Sequence, residues 1–166
     1  KLVAYFLNDQ HMTNQFNIDV TKGILLSGPI GCGKTSLMNL MKYLTATEHK
    51  FFVKPCRDIS FEFIQDGYQI IHKYSIGKLY QSESRTYCFD DLGTENNLKY
   101  FGNECNVMAE ILLSRYDLFI SKKLQTHITT NLSATEIEKH YGNRVRSRLR
   151  EMVNLIAYDK STPDKR

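Results

Sequence analysis

The residues of this chain with the clearest chemistry are Gly28-Pro29-Ile30-Gly31-Cys32-Gly33-Lys34-Thr35, which satisfy the GxxxxGK[ST] pattern in full. Glycines in such a run let the backbone turn tightly, with N–H groups directed inward where they can hold phosphate oxygens. Lys34 supplies a compact positive charge for the β- and γ-phosphates, and the Thr35 hydroxyl can ligate Mg²⁺. The helix expected from Lys34 onward adds its positive N-terminal end, so the whole segment from Gly28 to Ser36 is the candidate nucleotide-binding stretch. Cys32, at a position the pattern leaves open, reads as a small filler.

A triphosphate site also needs a carboxylate for the metal shell and a group to orient the attacking water. Asp90-Asp91 follows the apolar run Tyr87-Cys88-Phe89 and leaves a strand at its carboxyl end, the edge where open parallel sheets bind ligands. Asp90 is the candidate metal-shell residue and Asp91 the candidate general base. Asn131 closes His127-Ile128-Thr129-Thr130 at the same edge. Its amide can bond both a γ-phosphate and a water, or it can cap the helix starting near Ser133. Arg144, Arg146, Arg148 and Arg150 alternate along one short helix. Four like charges there indicate an anionic partner or a solvated basic face. Between Arg57 and Arg85, Tyr68, Tyr74 and Tyr80 alternate with Lys73 and Lys78, which suits stacking on single-stranded DNA or half-buried helix positions.

Positioning these groups requires short apolar strands alternating with helices. Strands are expected at Gly23–Ser27, Phe51–Val53, Arg85–Phe89, His127–Thr130 and Met152–Tyr158. A helix follows the glycine loop, with Leu37, Leu40, Met41 and Leu44 on its apolar face. One or two more are expected over 57–85 with breaks at Gly67 and Gly77, a long one over 104–120, then Ser133–Tyr141 and Asn143–Arg150; Leu2–Leu7 is a short helix candidate. That alternation predicts an α/β fold with a parallel sheet covered on both faces. The expected division is a lead-in of residues 1–22 and a core of residues 23–166, with further sequence expected before Lys1.

Composition agrees with one globular domain: 166 residues, 42% hydrophobic and 24% charged, with a formal charge of +4 that is compatible with nucleic-acid contact. None of Cys32, Cys56, Cys88 and Cys105 stands at metal-ligand spacing, so they read as reduced thiols. No apolar run is long enough to span a membrane, and the expected location is cytoplasmic.

Taken in order, GPIGCGKT, CFDDLGTE, HITTNLSATEIE and YGNRVRSRLREM resemble the AAA+ ATPases of the DnaC/IstB-like helicase-loader family, over most of the chain from Gly23 to Arg166. The resemblance implies a P-loop fold with a five-stranded parallel sheet in the order 5-1-4-3-2, ATP and Mg²⁺ as ligands, and Asn131 as the sensor residue. It further implies Arg148 as an arginine finger completing the site of an adjacent subunit, with Arg144 supporting it, so that the chain works as a homo-oligomer. Arg166 corresponds to a second, cis-acting sensor arginine. The implied partners are a replicative helicase, or a transposase in the transposition-helper branch, together with DNA, single-stranded by preference. Two departures stand out. Asp91 occupies a position where many relatives carry Glu, so hydrolysis is expected to be slow or to need Glu95 or a partner. The chain also stops too soon after the fifth strand for a full helical lid. A small-molecule kinase and a nucleotide-binding switch that scarcely hydrolyses are the other functions that use this loop.

Overall fold

A computed structural model of the chain describes residues 1–45, 50–76, 85–95, 98–100, 103–159 and 161–165. Gly77, Lys78, Tyr80 and Arg166 lie outside the described residues. Strands β1 (Gly23–Ser27), β2 (Phe51–Pro55), β3 (Thr86–Leu92), β6 (Thr126–Thr130) and β7 (Val153–Ala157) form a sheet in the order β2-β3-β6-β1-β7. Every pair is parallel. Renumbered within the sheet, this is the predicted 5-1-4-3-2. A separate antiparallel hairpin, β4 (Leu98–Tyr100) with β5 (Asn103–Cys105), was not expected from the sequence.

Alternation along the strands sends successive side chains to opposite faces. Leu25, Phe89 and Ile128 face one layer, built from α4 (Cys56–Asp66), α5 (Tyr68–Ser75), α6 (Val107–Lys122) and α7 (Ala134–Met152). Ile24, Leu26 and Cys88 face the other, against α1 (Leu2–Phe6) and α3 (Lys34–Leu44). Leu2, Tyr5 and Phe6 of α1 belong to that second cluster. The short helix α2 (Gln10–Gln15) has no apolar periodicity; the Asp9 carboxylate accepts from the Met12 N–H at 3.0 Å and caps it.

The register of α3 corrects the predicted apolar face. Met38, Met41 and Thr45 are buried with Lys34, whereas Leu40 and Leu44 are exposed. Lys34 must point into the glycine loop, and residues four and seven positions on share its side of the helix. The two helices expected over 133–150 are present as two helical runs of α7 that meet at Gly142, whose φ of 83° and ψ of 161° lie outside the helical region.

Candidate functional site

The loop between β1 and α3 turns through Gly31 at φ 77° and Gly33 at φ 91°, values at which a side chain would be strained. Gly31 is confined from outside as well: a Cβ there would lie 2.1 Å from Asp164 Oδ1, and the Lys165 N–H donates to the Gly31 carbonyl at 3.0 Å. The segment after β7 therefore braces the loop. Inside it, Lys34 is buried and its Nζ donates to the carbonyls of Gly28 and Pro29, both at 2.9 Å. Cys32 is buried beside that ammonium, its Sγ 4.0 Å away, as a filler would be.

Beneath the loop, Asp90 is 5% exposed and accepts a hydrogen bond from the Thr35 hydroxyl, which stands 3.0 Å from each carboxylate oxygen. The Thr129 hydroxyl donates to Asp90 Oδ1 at 2.6 Å and accepts from the Asp91 N–H at 2.9 Å. One hydroxyl thus fixes both acids. The strand register shifts between Phe89 and Leu92, and Asp91 takes a left-handed φ of 54°, which Asp tolerates better than most residues. That kink separates the two carboxylates: Asp90 turns to Thr35, and Asp91 faces the cavity above.

The cavity holds about 330 Å³ and is lined by Ile30, Gly31, Gly33, Lys34, Thr35, Ser36, Asp91, Thr94 and Asn131. Partial burial and the Asp90 charge push the Asp91 carboxyl above its usual range, with Lys34 opposing. Asn131 is not a helix cap. Ser133 caps α7 in a reciprocal box with Glu136, whose N–H donates to Ser133 Oγ and whose carboxylate accepts from the Ser133 N–H.

The other predicted residues are placed elsewhere. Arg148 does not line the cavity; its guanidinium lies over the Tyr116 ring on α6. Arg146 pairs with Glu138, and Arg144 and Arg150 are exposed. Glu95 accepts from the Gly93 N–H at 3.0 Å and from the Tyr141 hydroxyl, so its carboxylate is directed at α7. Tyr74 is buried and donates to Glu62, which also pairs with Lys73 at 2.7 Å and Lys54 at 2.8 Å; these bonds hold the Glu62 carboxyl down to about 2 against its own desolvation. The buried alternative therefore applies to Tyr74. Thr129 and Thr94 were not singled out from the sequence, although Thr129 at the carboxyl end of a strand beside the acid pair is the signal that could have found it.

The donor set fits a magnesium nucleotide. Among the described residues no group of three or more His, Cys, Asp or Glu side chains could hold a metal, and an ion here would draw on the Asp90 carboxylate, the Thr35 hydroxyl and the ligand's own phosphates. No helix among the described residues is long and apolar enough to cross a membrane.

No protein-family profile and no curated protein sequence matches the chain. Solved structures do. A primosome component from Streptococcus pyogenes serotype M3 superposes with a TM-score of 0.65 at 17% identity, covering 97% of this chain and 79% of that one. The DnaC helicase loader gives 0.61 at 21% identity, over 92% and 87%. AMPPCP-bound DnaA from Aquifex aeolicus gives 0.60 at 13% identity, over 94% of this chain and 50% of that one. With its all-parallel five-stranded sheet and the glycine loop between β1 and α3, this chain shares the α/β fold of the DnaC helicase loader and the primosome component.

Proposed function

We propose that this chain is a Mg²⁺-dependent ATPase that acts as a helicase-loading accessory in DNA replication initiation. The observation that carries the reading is the buried Asp90–Thr35 pair directly under the phosphate-loop cavity, with Asp91 and Asn131 on the cavity wall. Lys34 and the loop amides hold the β- and γ-phosphates, and the Lys34 ammonium exchanges its loop carbonyls for phosphate oxygens. Thr35 and Asp90 are the residues that would hold Mg²⁺, which when bound neutralises charge on the phosphate oxygens. Asp91 takes the proton of the attacking water, and the Asn131 amide orients that water against the γ-phosphate. Arg148 serves the site of a neighbouring copy, so the active form is a homo-oligomer.

The likeness to a helicase loader and to a primosome component supports a replicative helicase as partner over a transposase. Single-stranded DNA is the nucleic acid the assembly would grip. Calorimetry at millimolar Mg²⁺ tests the nucleotide reading. ATP uptake is expected, weakened roughly 10- to 100-fold in Lys34→Ala, as loss of charge-assisted bonds costs. Absence of uptake by folded protein would overturn it. Helicase capture and ADP release, each measured with and without single-stranded DNA, test the loader role.

A further inference from the structure

Two residues to which the sequence reading gives no role seat the guanidinium of Arg148. Its central carbon lies 4.2 Å from the centroid of the Tyr116 ring, and its Nη1 donates to the Tyr116 hydroxyl at 3.0 Å. That hydroxyl donates in turn to Glu151 Oε2 at 2.6 Å, and Glu151 Oε1 stands 3.9 Å from Arg148 Nη1. The three groups close a ring of contacts across α6 and α7. Tyr116 is buried in the same core cluster as Val145 and Leu149, so the platform under the guanidinium is rigid. The Arg148 side chain itself remains 42% exposed.

We propose that Tyr116 and Glu151 are positioning residues that present Arg148 to an anionic phosphate carried by a neighbouring copy of this chain. A guanidinium is planar with five N–H donors in a fixed fork, so stacking sets its plane and the bond to the phenol sets its rotation. The seat is a ring face, a neutral hydroxyl and a carboxylate beyond hydrogen-bond distance, and it orients the group without the bidentate pairing that would compete with phosphate. Arg146, tied to Glu138 across the Gly142 break, has no such platform among the described contacts. The inference rests on the trans reading of Arg148 in the preceding section, and its test separates the two.

Tyr116→Phe keeps the buried ring and removes the hydroxyl; Glu151→Gln keeps the shape and removes the charge. Either is expected to lower the per-site turnover of ATP roughly 3- to 10-fold, the cost of leaving one long side chain to be ordered at each encounter, with KM for ATP unchanged. Mixing supplies the readout that a structural defect would not move. In excess Lys34→Ala subunits, which lack a working loop but carry an intact Arg148, Tyr116→Phe subunits should reach the turnover of unsubstituted subunits in the same excess. Arg148→Ala subunits should be rescued likewise. If Arg148→Ala is rescued and Tyr116→Phe is not, the positioning role is overturned while the finger stands. If Arg148→Ala is not rescued, the trans finger falls and the positioning role with it. A Tyr116→Phe turnover equal to or above that of the unsubstituted chain also overturns the proposal.

Discussion

The two ends of the central sheet each bury a charged side chain, and they treat it in opposite ways. At the amino end Arg115, 0% exposed, gives Nε to Thr126 Oγ1 at 2.7 Å, Nη1 to the carbonyls of Tyr74 and Ser75, and Nη2 to those of Arg85 and Gln125. All five N–H groups are satisfied, and the rings of Tyr87 and Phe89 lie 5.4 and 5.6 Å from its central carbon. Among the described residues no carboxylate takes part, and burial holds its pKa down to about 10. At the carboxyl end the described residues bond just two hydroxyls to Asp90, those of Thr35 and Thr129, beside an open cavity. A carboxylate has more acceptor sites than that. The closed end is a clamp joining α5, α6, β3 and β6; the open end keeps valence for a ligand. Burial of a charge therefore does not by itself distinguish a ligand site from a structural clamp, whereas incomplete satisfaction beside a cavity does.

This contrast is broken most directly at the open end. Asp91→Asn suits the left-handed backbone at least as well as Asp, so it removes the proposed base and little else. Hydrolysis should fall ~10²- to 10⁴-fold in single-turnover measurements, with the melting temperature unchanged. A variant that hydrolyses normally would take Asp91 out of the mechanism. Because the Asp91 carboxyl is pushed above its usual range, the deprotonated form is lost at a higher pH than for an ordinary Asp as the solution is acidified. The acid limb of turnover should be displaced upward accordingly.

The closed end should respond in the other currency. Arg115→Met leaves four backbone carbonyls and a buried hydroxyl without their donor, at a cost of about 1–3 kcal/mol for each group that stays buried and unsatisfied. Urea unfolding measures it, and the fraction still folded should bind ATP with unchanged affinity. If nucleotide affinity fell while stability held, the division of labour between the two ends would be wrong.

How far this was legible from the sequence depends on whether one residue type at one spacing is enough. The five strands and the strand–glycine loop–helix turn were legible because each signal is local: an apolar run, a fixed motif, a change of period. Arg115 was not legible, since a lone Arg within Ile111-Leu112-Leu113-Ser114-Arg115-Tyr116 reads as a solvated position until four distant carbonyls converge on it. Thr129 and Glu95 are similar cases, their partners lying 39 and 46 positions away. The face of α3 was misread because the loop lysine, and not the number of leucines, sets the rotation of that helix.

His127 sharpens the comparison at the smallest scale. It lies at the amino end, buried among Tyr5, Phe6 and Phe51, and its Nδ1 accepts from the Ile24 N–H at 3.2 Å. Desolvation, aided by the Arg115 charge, lowers its pKa to about 3. Between that value and the unfolded one near 6.5, the unfolded chain binds a proton that the native chain does not, so stability rises with pH across the window and drains away as pH falls. The slope is at most ~1.4 kcal/mol per pH unit, about 2 kcal/mol from pH 6.5 to 5. Glu62, held down to about 2, contributes only as pH drops below its unfolded value near 4.5, and so does not enter that interval. His127→Gln keeps an acceptor for Ile24 and cannot titrate. Its unfolding free energy should be flatter between pH 5 and 6.5 than that of the unsubstituted chain. Equal slopes would mean that the imidazole is already protonated in the fold, and that the amino end is less tightly closed than Arg115 indicates.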